Sequence, residues 1–183
     1  QAWVKAQRAY TAAWFAAAPQ RAAMLARMRR LWDHDRMPLY GSKAGILVRG
    51  GRIFFLQQNG LANQPVLYVR DTPDAKPRVL LDVNSLAGDG TVSLSTWAPS
   101  PDGKWLAYGV ARAGSDWQSW RVREVSSGRD LSDQLDWIKF SEPSWSADSR
   151  GFYYARYPQP EGNTLTGRNE FQKLYFHRLE TAQ

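Results

Sequence analysis

Two aspartates lie at matching places in a repeated motif, and together they could do acid–base chemistry. The segments "SPDGKWLAY" (100–108) and "ADSRGFYY" (147–154) align so that Asp102 corresponds to Asp148, 46 residues later. A pair of carboxylates, once brought together, can supply the acid and the base or nucleophile of a hydrolysis. Asp beside Gly or Ser is also the composition of tight turns, and recurrence at a fixed period is typical of a structural repeat. We therefore interpret both aspartates as turn residues and not as a catalytic pair.

Residues for nucleophilic or metal-assisted catalysis are scarce. The chain has two histidines, His34 within "DHD" and His177 within the alternating segment "QKLYFHRL". The flanking aspartates could point to a metal at His34, but no further ligands follow at coordinating spacing, so we interpret it as a polar helix end. His177 is expected on a strand face. No G-x-S-x-G nucleophile elbow occurs, and "GSDW" (114–117) does not fit one, so the sequence predicts no catalytic triad in this chain.

The composition argues against several other classes of function. There is no cysteine, hence no disulfide or thiolate chemistry, which fits a reducing cytosol and a bacterial periplasm equally. No P-loop or dinucleotide-binding motif is present, so no cofactor is predicted. No apolar run approaches the roughly 18 residues of a membrane span. Residues 1–36 carry seven Lys or Arg against two Asp, but no nucleic-acid motif accompanies them. We expect a solvated helix face, or one that docks on an acidic neighbour, and no nucleic-acid partner.

The first 32 residues have the periodicity of two helices. Apolar and aromatic residues recur every three or four positions up to Pro19, which interrupts the run, and then again as far as Trp32. The first stripe contains Trp3, Gln7, Tyr10 and Trp14, and the second contains Met24, Leu25, Met28, Leu31 and Trp32. We predict an N-terminal two-helix segment, residues 1–40.

From about residue 45 the chain changes to short β-rich runs separated by turns. Two runs surround Asn59-Gly60, and further strands are predicted at 78–83, 91–98, 104–111, 119–125, 135–140, 141–146, 151–157 and 172–179. No crossover helices lie between them, so the sheets should be antiparallel. The runs form a unit of 46–54 residues that occurs nearly three times, as "LYVRD" (67–71), "WRVRE" (120–124) and "LYFHR" (174–178) illustrate.

A repeat of this length with about four short strands is typical of a β-propeller blade. We predict a mainly β chain in which residues 41–183 form a partial propeller of about three four-stranded antiparallel blades. Propellers usually close with about four to eight blades, so three would leave inter-blade faces and sheet edges uncovered. The repeat therefore predicts that the chain is part of a larger protein or needs a partner.

Three stretches carry a more specific resemblance: "NQPVLYVRD", "GSDW" and "KFSEPSWSADSRGFYYARYP". With the segments around them, in order and over essentially the whole chain, they resemble the N-terminal part of prolyl oligopeptidases. The resemblance implies a cytosolic or periplasmic serine peptidase that cleaves short peptides after proline. Such an enzyme has a seven-bladed propeller and an α/β-hydrolase domain that holds the Ser-Asp-His triad and includes the N-terminal helical segment. This chain would be a fragment whose partners are proline-containing peptides, that hydrolase domain and the remaining blades.

The resemblance also implies roles for particular residues. Phe140 would line the substrate pocket from the propeller side, the alternative being a Phe of the blade core. The long polar stretch 156–172 would gate entry, the alternative being a plain surface loop. Asp116 would face the hydrolase domain and pair with a basic residue there, the alternative being a turn Asp beside a blade-packing Trp117. The proposed gating residues are Tyr157, Gly162, Asn163, Thr164, Gly167 and Arg168.

A second class of function stays open at this point. A propeller can also be a non-catalytic module that binds a peptide or a protein partner. A G-x-S-x-G elbow with later Asp and His, downstream in the full-length sequence, would distinguish the peptidase from the binding module. One departure from the family pattern is Pro99, which stands where an aromatic or apolar residue is usual before the Asp-Gly turn.

Overall fold

The computed structural model describes residues 1–38, 45–162, 164 and 167–183. Helix α1 spans Ala2–Ala16 and α2 spans Arg21–Trp32, as the periodicity predicts, and Pro19 lies in the turn between them. Neither helix has a buried residue, so the apolar stripes of both are exposed. Within the described ranges, no helix combines the length and apolarity needed to cross a bilayer.

Three antiparallel sheets follow the helices along the chain. The first contains β1 (Ile46–Arg49), β2 (Arg52–Gln57), β3 (Val66–Arg70) and β4 (Arg78–Leu81). The second contains β5 (Val92–Pro99), β6 (Trp105–Arg112), β7 (Gln118–Glu124) and β8 (Asp130–Ile138). The third contains β9 (Ser144–Trp145), β10 (Gly151–Arg156) and β11 (Lys173–Arg178). Each strand pairs with the next along the chain, as in propeller blades. The predicted partial propeller is confirmed, although three strands, not four, are described in the third sheet.

Some strand boundaries differ from the sequence prediction for identifiable reasons. β8 begins at Asp130 and not at residue 135, because this outer strand has exposed polar residues where an apolar alternation was sought. The predicted strand 141–146 shrinks to Ser144–Trp145, since Pro143 has no N–H to donate to a ladder. β4 stops at Leu81 because Asp82 caps a short 3₁₀ helix, Val83–Leu86, accepting a 2.9 Å hydrogen bond from the Asn84 N–H.

Both aspartates of the repeated motif close their own turns. The Asp102 Oδ1 atom accepts hydrogen bonds from the Ser100 hydroxyl at 2.6 Å and from the Lys104 N–H at 3.0 Å. Asp148 accepts the same two bonds in the next blade, from the Ser146 hydroxyl at 2.6 Å and from the Arg150 N–H at 3.1 Å. The two carboxylates therefore have turn-forming roles.

Aromatic and aliphatic side chains fill the two seams between neighbouring sheets. One cluster joins the first and second sheets, with Phe54, Leu67, Leu106 and Tyr108 among its buried members. Another joins the second and third sheets around Trp120 and includes Leu135, Ile138, Phe152 and Tyr154. Burial between stacked sheets is what stabilises a blade that cannot cover both of its faces alone.

A buried polar pair crosses the second seam. His177 lies on a strand, as predicted, but its ring is buried, with 3% of the residue exposed. Its Nε2 atom lies 2.6 Å from Oδ1 of Asp133 on β8, and the same oxygen accepts a 2.9 Å hydrogen bond from the Glu180 N–H. The pair links the second sheet to the third, so His177 has a structural role.

Candidate functional site

Phe140 projects from the rim of the propeller fragment just after β8. It is 74% exposed, and its φ angle of 52° is left-handed, which is uncommon for a residue other than glycine. A large aromatic side chain held outward in this backbone conformation is not a member of this chain's core. It presents a flat apolar surface of the kind that accommodates proline rings and apolar side chains.

Trp117 lies at the same end of the second sheet as Phe140. β7 and β8 are antiparallel with Gln118 paired to Ile138, so the residue before β7 and the residues after β8 are neighbours. The Trp117 ring is partly buried and makes edge contacts with Trp137, at 5.8 Å between centroids, and with Tyr157, at 6.0 Å. Asp116, the residue before it, is exposed, and none of the ion pairs in the described part of the chain includes it.

Described residues of the long connection between β10 and β11 contact these aromatic rings. The Trp117 Nε1–H donates a 2.8 Å hydrogen bond to the backbone oxygen of Thr164, and the Tyr157 N–H donates one of 2.9 Å to the Trp137 oxygen. Gly162 is exposed with a φ of 77°, and Gly167 and Arg168 are exposed too. Of the predicted gating residues, Tyr157, Gly162, Thr164, Gly167 and Arg168 lie in this connection, whereas Asn163 lies outside the described residues.

Lys139 is a buried cation at the centre of this arrangement. Only 7% of the residue is exposed, and its Nζ atom lies 4.0 Å from the centroid of the Trp117 ring. The ammonium group is 3.3 Å from Asn169 Oδ1, and the Lys139 backbone oxygen accepts a 3.2 Å hydrogen bond from Gln172 Nε2. No carboxylate forms an ion pair with it in the ranges that the structure describes. The Trp117 ring face and one amide oxygen, Asn169 Oδ1, thus take the place of a counter-ion.

A surface cavity of about 310 Å³ lies beside Trp117. Its wall is formed by Tyr157, by Pro158 and Pro160, and by Phe171 from the far end of the connection. The size is at the lower end of the range for small-ligand sites, and the lining combines aromatic rings with polar side chains. The structure therefore brings Phe140, Trp117 and the β10–β11 connection to one rim.

Lys139 was not predicted as a site residue from the sequence, and Trp117 was named only as a blade-packing residue in the alternative for Asp116. A signal was present in "LDWIKF", where one lysine stands in an otherwise apolar strand end. A lysine there has to be solvated, paired or placed on an aromatic face. Its partners are too distant along the chain for spacing to reveal them.

The remaining candidate centre, His34, does not join the rim. His34 is exposed just beyond α2, where its Nδ1 atom lies 3.1 Å from the Leu31 backbone oxygen. The described residues contain no cluster of three or more His, Cys, Asp or Glu that could hold a metal ion. His34 is placed as a polar residue at a helix end.

Comparison with known proteins places this chain in a family. The family model described as "Prolyl oligopeptidase, N-terminal beta-propeller domain" matches residues 1–183. The chain is 31% identical over 184 residues to the prolyl endopeptidase of Elizabethkingia meningoseptica, covering 100% of this chain and 25% of that protein. It is 34% identical over 161 residues to the dual function macrocyclase-peptidase POPB of Galerina marginata, covering 76% and 22%.

Solved structures give the same result for the fold. A structure from an analysis of two prolyl endopeptidases superposes with a TM-score of 0.89 and 32% identity, over 100% of this chain and 26% of that one. Prolyl oligopeptidase B from Galerina marginata, bound to a 35mer hydrolysis and macrocyclization substrate, superposes with a TM-score of 0.84 and 27% identity, over 99% and 27%. The chain thus spans about a quarter of the length of these relatives. With the family model matched from end to end and three antiparallel blade sheets in the structure, this chain belongs to the prolyl oligopeptidase family and corresponds to its N-terminal β-propeller region.

Proposed function

We propose that this chain is the propeller-side part of a serine endopeptidase that hydrolyses short peptides after proline, and that the Ser-Asp-His triad lies outside this chain. The carrying observation is the family match over all 183 residues. The proposed absence of the triad from this chain is supported by its two histidines. His177 is buried and hydrogen-bonded to Asp133, and His34 lies at a helix end. Without a nucleophile elbow, this chain supplies access and binding and the hydrolase domain supplies bond cleavage.

Residues 1–40 belong, in this proposal, with the hydrolase domain. Support comes from the helices, where Trp3, Tyr10 and Trp14 of α1 and Met24 and Met28 of α2 are all exposed. A helix pair with this much uncovered aromatic and apolar surface needs a protein partner. The boundary to the propeller domain, residues 41–183, falls at residues 40 and 41, outside the described residues.

The rim residues have three roles in the proposed enzyme. Phe140 contacts the apolar part of a peptide substrate, which the exposure of its ring supports. The connection between β10 and β11 controls entry to the space between the domains. The exposed Asp116 pairs with a basic side chain of the hydrolase domain, and the absence of any described partner within this chain supports that role.

The test uses the full-length parent protein and a chromogenic peptide with one proline. We expect hydrolysis by the parent and none by this chain alone. Phe140→Ala should lower kcat/KM by about 10-fold, mainly through KM, because a lost aromatic contact weakens binding by about 1–2 kcal/mol. Arg129→Ala is the control, since this exposed residue precedes β8 at the end of the strand opposite to Phe140.

The results separate the proposed function from the binding-module alternative. A parent protein that binds the peptide without cleaving it would support the non-catalytic module. Turnover by this chain alone would overturn the assignment of catalysis to another domain. An equal kcat/KM for the Phe140→Ala and Arg129→Ala variants would remove Phe140 from the substrate site.

A further inference from the structure

Two side chains of the second sheet are tied to the long connection of the third, and they meet next to Phe140. The Trp117 indole donates to the Thr164 backbone oxygen, and the Lys139 ammonium group reaches Asn169 on the far side of the same connection. Both anchors start from strand ends in the second sheet, which is itself fixed by its buried core. The connection is therefore held at two described points by one neighbouring blade.

The two anchors are also held by each other. The Lys139 Nζ atom lies over the Trp117 ring, 4.0 Å from its centroid, and this ring is itself packed edge-on against Trp137 and Tyr157. A buried ammonium group without a carboxylate partner depends on such a ring face and on amide oxygens for its stabilisation. Removing either residue therefore loosens the other.

Lys139 is also joined to Phe140 by the peptide bond, and its backbone oxygen is hydrogen-bonded to Gln172 at the end of the connection. The connection therefore contacts the backbone immediately before Phe140, whose own φ angle is left-handed.

We propose that Trp117 and Lys139 form a latch that couples the β10–β11 connection to Phe140, which makes Trp117 a positioning residue that sets peptide access. The inference rests on the proposed peptidase function for its kinetic consequence, but the latch itself is a property of this chain. With the latch made, the connection stays closed on Trp117 and Phe140 is held outward. With the latch broken, the connection opens and longer peptides gain entry.

The first measurement is limited trypsin digestion of the full-length parent protein. Arg168 lies in the connection and is 91% exposed, so the bond after it reports on how often the connection opens. Trp117→Leu and Lys139→Met should each speed cleavage after Arg168 by about 10-fold, the effect of one lost indole hydrogen bond or cation–π contact. Trp117→Phe keeps a ring under the ammonium group but lacks the N–H donor, so its rate should fall between those of the wild type and Trp117→Leu.

Two internal controls separate the latch from general destabilisation. Cleavage after Arg129, in the turn between β7 and β8, should not change in any variant. Trp145→Phe removes a similar indole hydrogen bond, a 2.9 Å bond from Nε1 to the Ala98 oxygen, but this bond lies away from the connection. It should leave the ratio of cleavage after Arg168 to cleavage after Arg129 at the wild-type value. Lys139→Met conserves side-chain length, so it keeps the test valid if Trp117→Leu fails to fold.

The second measurement is kinetic. We expect Trp117→Leu to raise kcat/KM for a long peptide several-fold relative to a short peptide with the same cleaved bond. Trp117→Phe should restore most of the wild-type ratio.

An unchanged ratio of the two tryptic cleavages in both Trp117→Leu and Lys139→Met would overturn the latch. An unchanged length preference together with faster cleavage after Arg168 would overturn the role in access. A parent protein without proline-specific hydrolysis would contradict the proposed function. The ratio of tryptic cleavage after Arg168 to cleavage after Arg129 would still test whether the latch exists.

Discussion

At the scale of single residues, the groups that first looked chemical are used for structure, and the groups at the rim come from residues of little apparent reactivity. Asp102 and Asp148 each accept hydrogen bonds within their own turn, and the hydrogen bond from the Ser146 hydroxyl lowers the pKa of Asp148. His177 is enclosed between two sheets. The rim instead presents the exposed ring of Phe140, the partly buried ring of Trp117 and the buried ammonium group of Lys139.

A glycine in β6 shows how closely single residues are fitted in the blade core. A Cβ atom at Gly109 would lie 2.5 Å from the Trp120 indole, which is fully buried and fixed by a 2.8 Å hydrogen bond to Gln118. Gly109→Ala should therefore destabilise the fold by about 1–3 kcal/mol, the usual cost of overpacking a core. Urea denaturation of the wild type and of the Gly109→Ala variant measures the difference in their free energies of unfolding.

The matched control for this prediction is Gly88→Ala. A Cβ atom at Gly88 meets no other atom within 4 Å, and the residue has no left-handed φ angle. Its free energy of unfolding should stay within about 0.5 kcal/mol of the wild-type value. Equal effects of the two substitutions would contradict the close contact between Gly109 and Trp120.

At the scale of elements, the seam between the second and third sheets combines an aromatic cluster with the buried pair of Asp133 and His177. Oδ2 of Asp133 is buried without a hydrogen-bond partner, so the carboxylate depends on His177 and on the Glu180 N–H, both through Oδ1. His177→Leu should cost about 3–5 kcal/mol, because it leaves a buried carboxylate without its main partner. Urea denaturation measures this loss.

The double variant His177→Leu with Asp133→Leu tests the reason for that loss. If the cost comes from the abandoned carboxylate, the double variant should be more stable than His177→Leu alone, since no charge is then left buried. A double variant less stable than either single variant would show instead that the seam depends on the packing of these two side chains.

The elements were largely predictable from the sequence, and the contacts between them were not. The helix pair and most strands follow from periodicities of three to four and of two residues, which are local properties. The role of Trp117 depends on Thr164, and that of His177 on Asp133. Neither pairing has a sequence spacing that identifies it, because it arises only when neighbouring blades stack. The site role of Phe140 was predicted from the family resemblance and not from periodicity.

At the scale of the whole molecule, apolar surface remains uncovered on both outer sheets and on the helices. Ile46 and Val48 of β1 are exposed on the first sheet, and Leu174 and Phe176 of β11 on the third. Neighbouring blades are what such sheet faces contact in a complete propeller. In their absence the same surfaces are available to other copies of the chain.

We therefore expect the isolated chain to associate. Its apparent mass in light scattering should rise with concentration, because exposed strand edges and apolar faces pair between copies. Replacing Leu174 by Lys and Phe176 by Glu, on the exposed part of β11, should lower the apparent mass without loss of β-sheet signal in circular dichroism. The paired control is Lys173→Ala, which changes an exposed charge on the same strand and should leave the association unchanged. A monomer at all concentrations with one sharp, cooperative melt would contradict the prediction and would mean that three blades can cover their own outer faces.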